Sequence, residues 1–89
     1  MNTTIKSICT EYSDDVLYSR KENAAGYPHK IIIYIQNHYL GELSYFLHKH
    51  NYSLYDIKKF GKLYILVHFD LKKNSDNKSI ASQENTGEI

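Results

Sequence analysis

The stretch Lys30–Asp70 decides the fold of this chain, and it reads KIIIYIQNHYLGELSYFLHKHNYSLYDIKKFGKLYILVHFD. Its pattern predicts a strand, a helix and two further strands that are joined by a tight turn. Residues 30–36 contain four isoleucines and a tyrosine, and β-branched and aromatic residues favour strands. Because the run is apolar at consecutive positions, we expect a central strand that is covered on both faces.

A helix is expected over residues 38–50. Asn37 is a favoured N-cap residue, and Asn51 readily adopts the left-handed conformation that ends helices. Gly41 costs the helix up to about 1 kcal/mol relative to alanine, so we expect the helix backbone to approach the sheet closely at this position. Leucines recur along one side of the helix with three- and four-residue spacing, at Leu40, Leu43 and Leu47.

Residues 53–59 and 62–70 are expected to form a hairpin. A three-residue loop, Lys59–Gly61, with Gly61 in the left-handed conformation, pairs Ile57 with Leu63 and collects apolar side chains on one face. The predicted core of the domain consists of Ile33, Ile35, Leu40, Leu43, Leu47, Ile57, Leu63, Ile65 and Val67.

The first part of the chain is harder to interpret. Residues 4–12 are rich in β-forming types and predict a further strand. For residues 14–25 we predict a helix, because Ser13 is a suitable N-cap residue and two acidic residues follow it in the first turn. The alternative for this segment is a turn at 13–15 that leads into a strand at 16–21.

Together these elements predict a single α+β domain over residues 1–71, in which a small, mostly antiparallel sheet of about four strands packs on one or two helices. The chain of 89 residues is long enough for one domain with a thin core. Residues 72–89 contain only two large apolar residues, Ile80 and Ile89, so we expect a polar, disordered and flexible C-terminal tail.

The sequence contains no recognisable catalytic, metal-binding or phosphate-binding motif. Its four glycines are far apart, which excludes a glycine-rich phosphate loop. On a helix, His48 and His50 point about 200° apart and cannot share an ion. The single cysteine, Cys9, has no second cysteine for a zinc site. We therefore expect a protein that is not an enzyme and that uses no metal or other cofactor.

A cytoplasmic location is expected from several features. One cysteine cannot form an internal disulfide, whereas small secreted domains usually need several. The chain has no apolar run long enough for a transmembrane helix, and its first residues lack the charged and apolar regions of a signal peptide.

The composition also bears on the source of the chain. Forty of the 89 residues are Ile, Lys, Asn, Tyr, Phe or Met, whereas nine are Ala, Gly, Pro or Arg. The first group has AT-rich codons and the second has GC-rich codons. This bias predicts an AT-rich genome, such as that of a low-GC bacterium or of a phage or plasmid that lives in one.

The predicted sheet has more apolar surface than one good helix can cover. Tyr64 and Leu66 alternate onto the second face, where we also expect Leu54. Tyr34 of the central strand and His68 complete the predicted partner-binding surface. Exposed apolar patches on small domains usually mark interfaces. We therefore predict a protein-interaction module, such as an inhibitor or an adaptor, whose partner is another protein or a second copy of the chain.

Nucleic acid is the alternative partner. An aromatic sheet face with a basic rim is the surface on which some small domains bind RNA, and this chain has nine tyrosines. The net charge of +1 is low for a dedicated DNA-binding protein, and tyrosines also suit half-buried sheet positions without any ligand. The lysines that would form the rim are Lys58, Lys59, Lys62, Lys72 and Lys73.

Overall fold

The computed structural model describes residues 1–72, which form two helices and four strands. All strand pairs are antiparallel, and the order across the sheet is β1-β2-β4-β3. The predicted α+β class is therefore confirmed. The elements are α1 (Thr3–Thr10), β1 (Val16–Tyr18), β2 (Lys30–Gln36), α2 (Leu40–His48), β3 (Tyr52–Phe60) and β4 (Tyr64–Leu71).

Strand β2 is central, as its sequence predicts, and pairs with β1 on one side and β4 on the other. Its odd-numbered isoleucines, Ile31, Ile33 and Ile35, are fully buried against the helices. Its even-numbered residues Ile32 and Tyr34 are only half-buried. The expectation that both faces are covered is therefore wrong, because the described residues place helices on one face alone.

Helix α2 confirms the predicted helix, although it begins differently. One turn of 3-10 helix, Asn37–Tyr39, leads into it. Asn37 does not cap the helix; its side-chain Nδ2 donates a 2.7 Å hydrogen bond to the Lys62 carbonyl, and its backbone N–H donates to the Leu63 carbonyl. Asn37 thus ties the start of α2 to the hairpin loop. Asn51 ends the helical region with a φ of 71°, as predicted.

Residues 4–12 were predicted as a strand, and this prediction is wrong. Asn2 caps α1 by accepting a 2.9 Å hydrogen bond from the Thr4 backbone N–H. Ile5 and Cys9, which are four residues apart, both lie buried on the inner side of the helix. Burial of this stripe against the rest of the core outweighs the β propensity of the individual residues.

The predicted helix over 14–25 is also wrong, and the alternative with a strand after a turn is closer to the structure. Ser13 uses its Oγ to accept a hydrogen bond from the Asp15 N–H in a local turn rather than in a helix cap. Strand β1 follows and pairs with β2, so that Val16 lies opposite Ile33.

The hairpin of β3 and β4 has its loop at Gly61–Leu63, two residues later than predicted. Gly61 adopts the predicted left-handed conformation, with a φ of 79°. Ile57 pairs with Val67 instead of Leu63, an even shift that keeps Ile57 on the predicted face. Leu63 lies in the loop and is 65% exposed, so its assignment to the core is wrong.

Both helices lie on the same face of the sheet and close one hydrophobic core. Six predicted core residues are buried, whereas Leu40 and Ile57 are partly buried beside them. The buried cluster consists of Ile5, Cys9, Ile31, Ile33, Ile35, Leu43, Leu47, Tyr52, Ile65, Val67 and Phe69.

A Cβ on Gly41 would meet no atom within 4 Å, so the predicted close approach of backbones is wrong. No helix within residues 1–72 is long and apolar enough to cross a membrane. The predicted tail lies, except for Lys72, outside the described residues.

Candidate functional site

The face of the sheet opposite the helices carries a broad apolar and aromatic surface. No helix or loop among residues 1–72 lies across it. We call this face of the sheet the open face, and its apolar and aromatic surface is formed by side chains from all four strands. They are Leu17, Ile32, Tyr34, Phe60, Tyr64, Leu66 and His68.

Three aromatic rings form a cluster at one end of the open face. The rings of Tyr34 and Tyr64 stack with centroids 5.1 Å apart and planes 6° apart. Phe60 lies beside them, with its ring centroid 6.1 Å from that of Tyr34. Phe60 is 51% exposed and Tyr64 is 36% exposed, so a partner could cover much of both rings.

A depression of about 330 Å³ adjoins this cluster towards β1. Its apolar wall is formed by Leu17, Ile32 and Leu66, and Tyr34 separates it from the other rings. Asp14 and Asp15 line its outer side, just before β1 begins. The depression therefore suits an apolar side chain whose flank carries a positive charge or a hydrogen-bond donor.

Four of the five predicted partner-binding residues lie on the open face, but Leu54 does not. Leu54 pairs with Phe69 and lies on the helix side of the sheet. The reason is a β-bulge between Leu54 and Asp56, in which β3 uses one more residue than β4. An extra residue reverses the alternation of faces on one side of the bulge, and alternation alone therefore misplaces Leu54.

Charged groups surround the other end of the open face. Lys30 Nζ lies 3.4 Å from Asp70 Oδ1 in an exposed ion pair. The same ammonium lies 5.5 Å from the centroid of the Tyr55 ring, so Lys30 and Tyr55 meet above β4, which separates their strands. Nearby, His68 Nε2 is buried without a hydrogen-bond partner among the described residues.

The predicted lysine rim is divided in the structure. Lys58 pairs with Leu66 on the open face, whereas Lys59 pairs with the core residue Ile65 and lies on the helix side. Lys62 lies in the hairpin loop, and Lys72 follows the far end of β4. Lys73 lies outside the described residues. These lysines therefore form no continuous basic track on the described part of the open face.

The single cysteine thiol, that of Cys9, does not belong to the open face. Cys9 is fully buried, and burial raises the pKa of its thiol to about 11, a rise that interaction with Tyr18 reduces. A thiol of this kind is a poor nucleophile at neutral pH. Within residues 1–72 no group of three or more His, Cys, Asp or Glu side chains could hold a metal ion.

Sequence reasoning missed three residues that extend the open face. Leu17 lies in the segment that is predicted as a helix, and Ile32 lies in the strand for which cover on both faces is predicted. Phe60 was placed in the loop instead of in β3. The signal that was available is the aromatic spacing of Phe60 and Tyr64, which suits a pair that closes a three-residue loop.

Comparison with known proteins does not assign the chain to a family. No protein-family model matches it, and neither curated proteins nor solved structures give a match.

Proposed function

We propose that this chain is a non-enzymatic protein-interaction module that acts as an inhibitor or adaptor by placing its open face on another protein. The observation that carries this proposal is the open face itself, where Tyr34, Tyr64 and Phe60 form one aromatic cluster. Burial of each exposed ring or aliphatic side chain would contribute about 1–2 kcal/mol to the free energy of binding, so a partner that covers the face would be stabilised there.

The form of this surface supports a protein partner. Tyrosine offers a large contact area and has few rotatable bonds, so little side-chain entropy is lost on binding. The stacked pair of Tyr34 and Tyr64 restricts both rings further before binding. Beside it, the depression at Leu17 and Leu66 offers a place for one apolar side chain of the partner. Clusters of this kind typically contribute most of the affinity of an interface.

The composition of the chain bears on the kind of organism or genetic element in which it acts. Residues with AT-rich codons are frequent in the chain, and this bias suits an accessory protein of a phage, a plasmid or a low-GC bacterium that acts in the cytoplasm. Such a protein would work by occupying the surface that its target needs for another contact.

Site-specific photo-cross-linking tests the proposal. A benzophenone amino acid replaces Tyr64 on the open face or, as the control, Tyr45, which is exposed on α2. The chain is expressed in the cells that make it naturally, and the cross-linked products are identified by mass. We expect one defined protein adduct from position 64 and none from position 45. Equal cross-linking from both positions, or adducts from position 45 alone, would contradict the proposal.

Single-stranded nucleic acid is the second candidate. The specific observation in its favour is that Lys58 and Phe60 lie two residues apart on the open face, where a base could stack beside a phosphate contact. Binding to an oligonucleotide at low salt would then weaken steeply as salt is added. Replacing Lys58 with glutamine should weaken this binding, whereas the same change at Lys59, on the helix side, should not.

A further inference from the structure

The outer edge of β3 is a second surface of the domain, distinct from the open face. Strand β3 is an edge strand of the sheet and spans nine residues, whereas the strand at the opposite edge, β1, spans three. No strand among residues 1–72 pairs with this outer edge. An edge of this length presents a row of backbone groups that can pair with another strand.

Exposed apolar side chains are concentrated on the same strand. Tyr55 is 69% exposed, and Leu54 and Phe60 are each about half exposed. Edge strands often carry lysines and bulges that discourage pairing, and β3 has both, at Lys58 and at the bulge beside Tyr55. The same edge also carries Asp56, whose negative charge can form an ion pair with Lys58 of a second copy.

Two opposite charges of β3, those of Asp56 and Lys58, flank Ile57. When two copies of β3 pair antiparallel with Ile57 opposite Ile57, Asp56 of each copy lies opposite Lys58 of the other. Because the two copies are related by a two-fold axis, this ion pair occurs twice in the dimer. A shift of two residues in one direction places Asp56 opposite Asp56, and a shift in the other direction places Lys58 opposite Lys58. Like charges opposite each other destabilise a strand pair, so one register is favoured.

We infer that the chain forms a homodimer through β3, with a two-fold axis perpendicular to the sheet at Ile57. The two four-stranded sheets then form one continuous antiparallel sheet of eight strands. Both helix layers lie on one side, and the two open faces join on the other. Phe60 of one copy then lies close to Tyr55 of the second copy on the joined face.

This inference concerns the edge of the sheet and does not rest on the proposed function of the open face. A dimer formed by the packing of two open faces would bury Tyr64 and Leu66, whereas the edge dimer leaves both accessible. Asp56 and Lys58 are both exposed in the single chain, so substitutions at these positions should preserve the fold. These two differences make the inference testable without a known partner.

Sedimentation of the full chain over a concentration series up to the millimolar range tests the inference. We expect a reversible dimer for the natural sequence. In a dimer of the Asp56→Lys variant, each introduced lysine lies opposite Lys58 of the other copy. In a dimer of the Lys58→Glu variant, each introduced glutamate lies opposite Asp56. Each single variant should weaken the dimer by roughly tenfold to a hundredfold, because two favourable pairs become two unfavourable ones.

The decisive measurement is sedimentation of a mixture of the two single variants. In a mixed dimer the lysine introduced at position 56 of one copy faces the glutamate introduced at position 58 of the other. The unchanged Asp56 and Lys58 form the second pair, so both pairs are favourable again. We expect the mixture to dimerise as the natural chain does, while circular dichroism shows that each variant is folded.

Three results would overturn the inference. The first is a natural chain that stays monomeric over the whole concentration series. The second is a dimer that tolerates both single charge reversals. The third is a mixture of the two variants that fails to recover dimerisation.

Discussion

The rings of Tyr34 and Tyr64 stack on the open face of the sheet, with their centroids 5.1 Å apart and their planes 6° from parallel. Tyr34 pairs with Leu66, so Tyr64 is its diagonal neighbour on β4, a position that aromatic side chains can reach. Offset stacking of this kind contributes about 0.5–1.5 kcal/mol beyond area burial. The stack therefore restricts the orientations of both rings on the open face.

Polar substitution of this surface should spare the fold. We expect the double variant Tyr64→Ser, Leu66→Ser to remain folded, with a free energy of unfolding lowered by about 1–3 kcal/mol, because both side chains are partly exposed. The same variant should lose association with a partner protein. Urea unfolding followed by circular dichroism measures the first effect. A double variant that is unfolded in buffer would mean that these residues belong to the core.

Two glycines should respond to alanine in opposite directions. Gly41→Ala should raise the free energy of unfolding by about 0.5–1 kcal/mol, because the site is an open helix position. Gly61→Ala should lower it by about 1 kcal/mol or more, because Gly61 has a φ of 79° in the hairpin loop. Thermal unfolding of both variants measures the difference. A destabilising Gly41→Ala would show that space at this helix position is restricted.

The hydroxyl of Tyr52 should contribute measurably to stability. It is buried and donates a 2.6 Å hydrogen bond to the carbonyl of Pro28, which ties β3 to the segment before β2. Tyr52→Phe leaves that carbonyl without its donor and should lower the free energy of unfolding by about 1–2 kcal/mol. The matched control is Tyr55→Phe, since the Tyr55 side chain is 69% exposed. Equal stability of the two variants would count against this role of the hydrogen bond.

Alkaline pH should destabilise the domain in part through Cys9. Burial raises the pKa of this thiol from 9.0 to about 11, so its contribution is complete below pH 9 and is lost as the pH rises towards 11. The slope is at most about 1.4 kcal/mol per pH unit. Burial also raises the pKa of Tyr18 and Tyr52, which adds to the loss above pH 10.

The variant Cys9→Ala isolates the contribution of the thiol. It should be less stable at pH 7, because it leaves a small cavity in the core. Its free energy of unfolding should nevertheless fall less than that of the natural chain between about pH 9 and pH 11. Parallel slopes for the two proteins in urea unfolding would show that the Cys9 thiol has the same pKa in the folded and unfolded states, which would contradict the raised pKa.

The second half of the fold follows from the sequence because its patterns are strong. The isoleucines of β2 and the leucines of α2 have the periods of a strand and a helix, and both elements are where they are expected. The first half did not follow, since α1 contains Thr3, Thr4 and Ile5, which favour strands when they are considered one at a time. Their helical state depends on tertiary burial of Ile5 and Cys9.

The candidate site was predictable to a similar extent. Alternation along β4 places Tyr64, Leu66 and His68 on one face, as the structure does. Leu54 could not be placed in the same way, because a single bulge at Tyr55 reverses the alternation and leaves no clear mark in the sequence. Leu17 was missed because Ser13, which is equally suited to a turn and to a helix cap, favoured the wrong alternative.

The most direct test of the open face uses the partner protein that is identified by cross-linking from position 64. It compares how substitutions at two exposed leucines change the affinity for that partner. Leu17 on the open face is 68% exposed and Leu63 in the hairpin loop is 65% exposed, so aspartate at either position should cost the fold equally little. Calorimetric titration of the purified partner should show affinity reduced by about tenfold or more for Leu17→Asp and unchanged for Leu63→Asp. Unchanged affinity for Leu17→Asp, or an equal loss for both variants, would contradict the assignment of the open face as the binding surface.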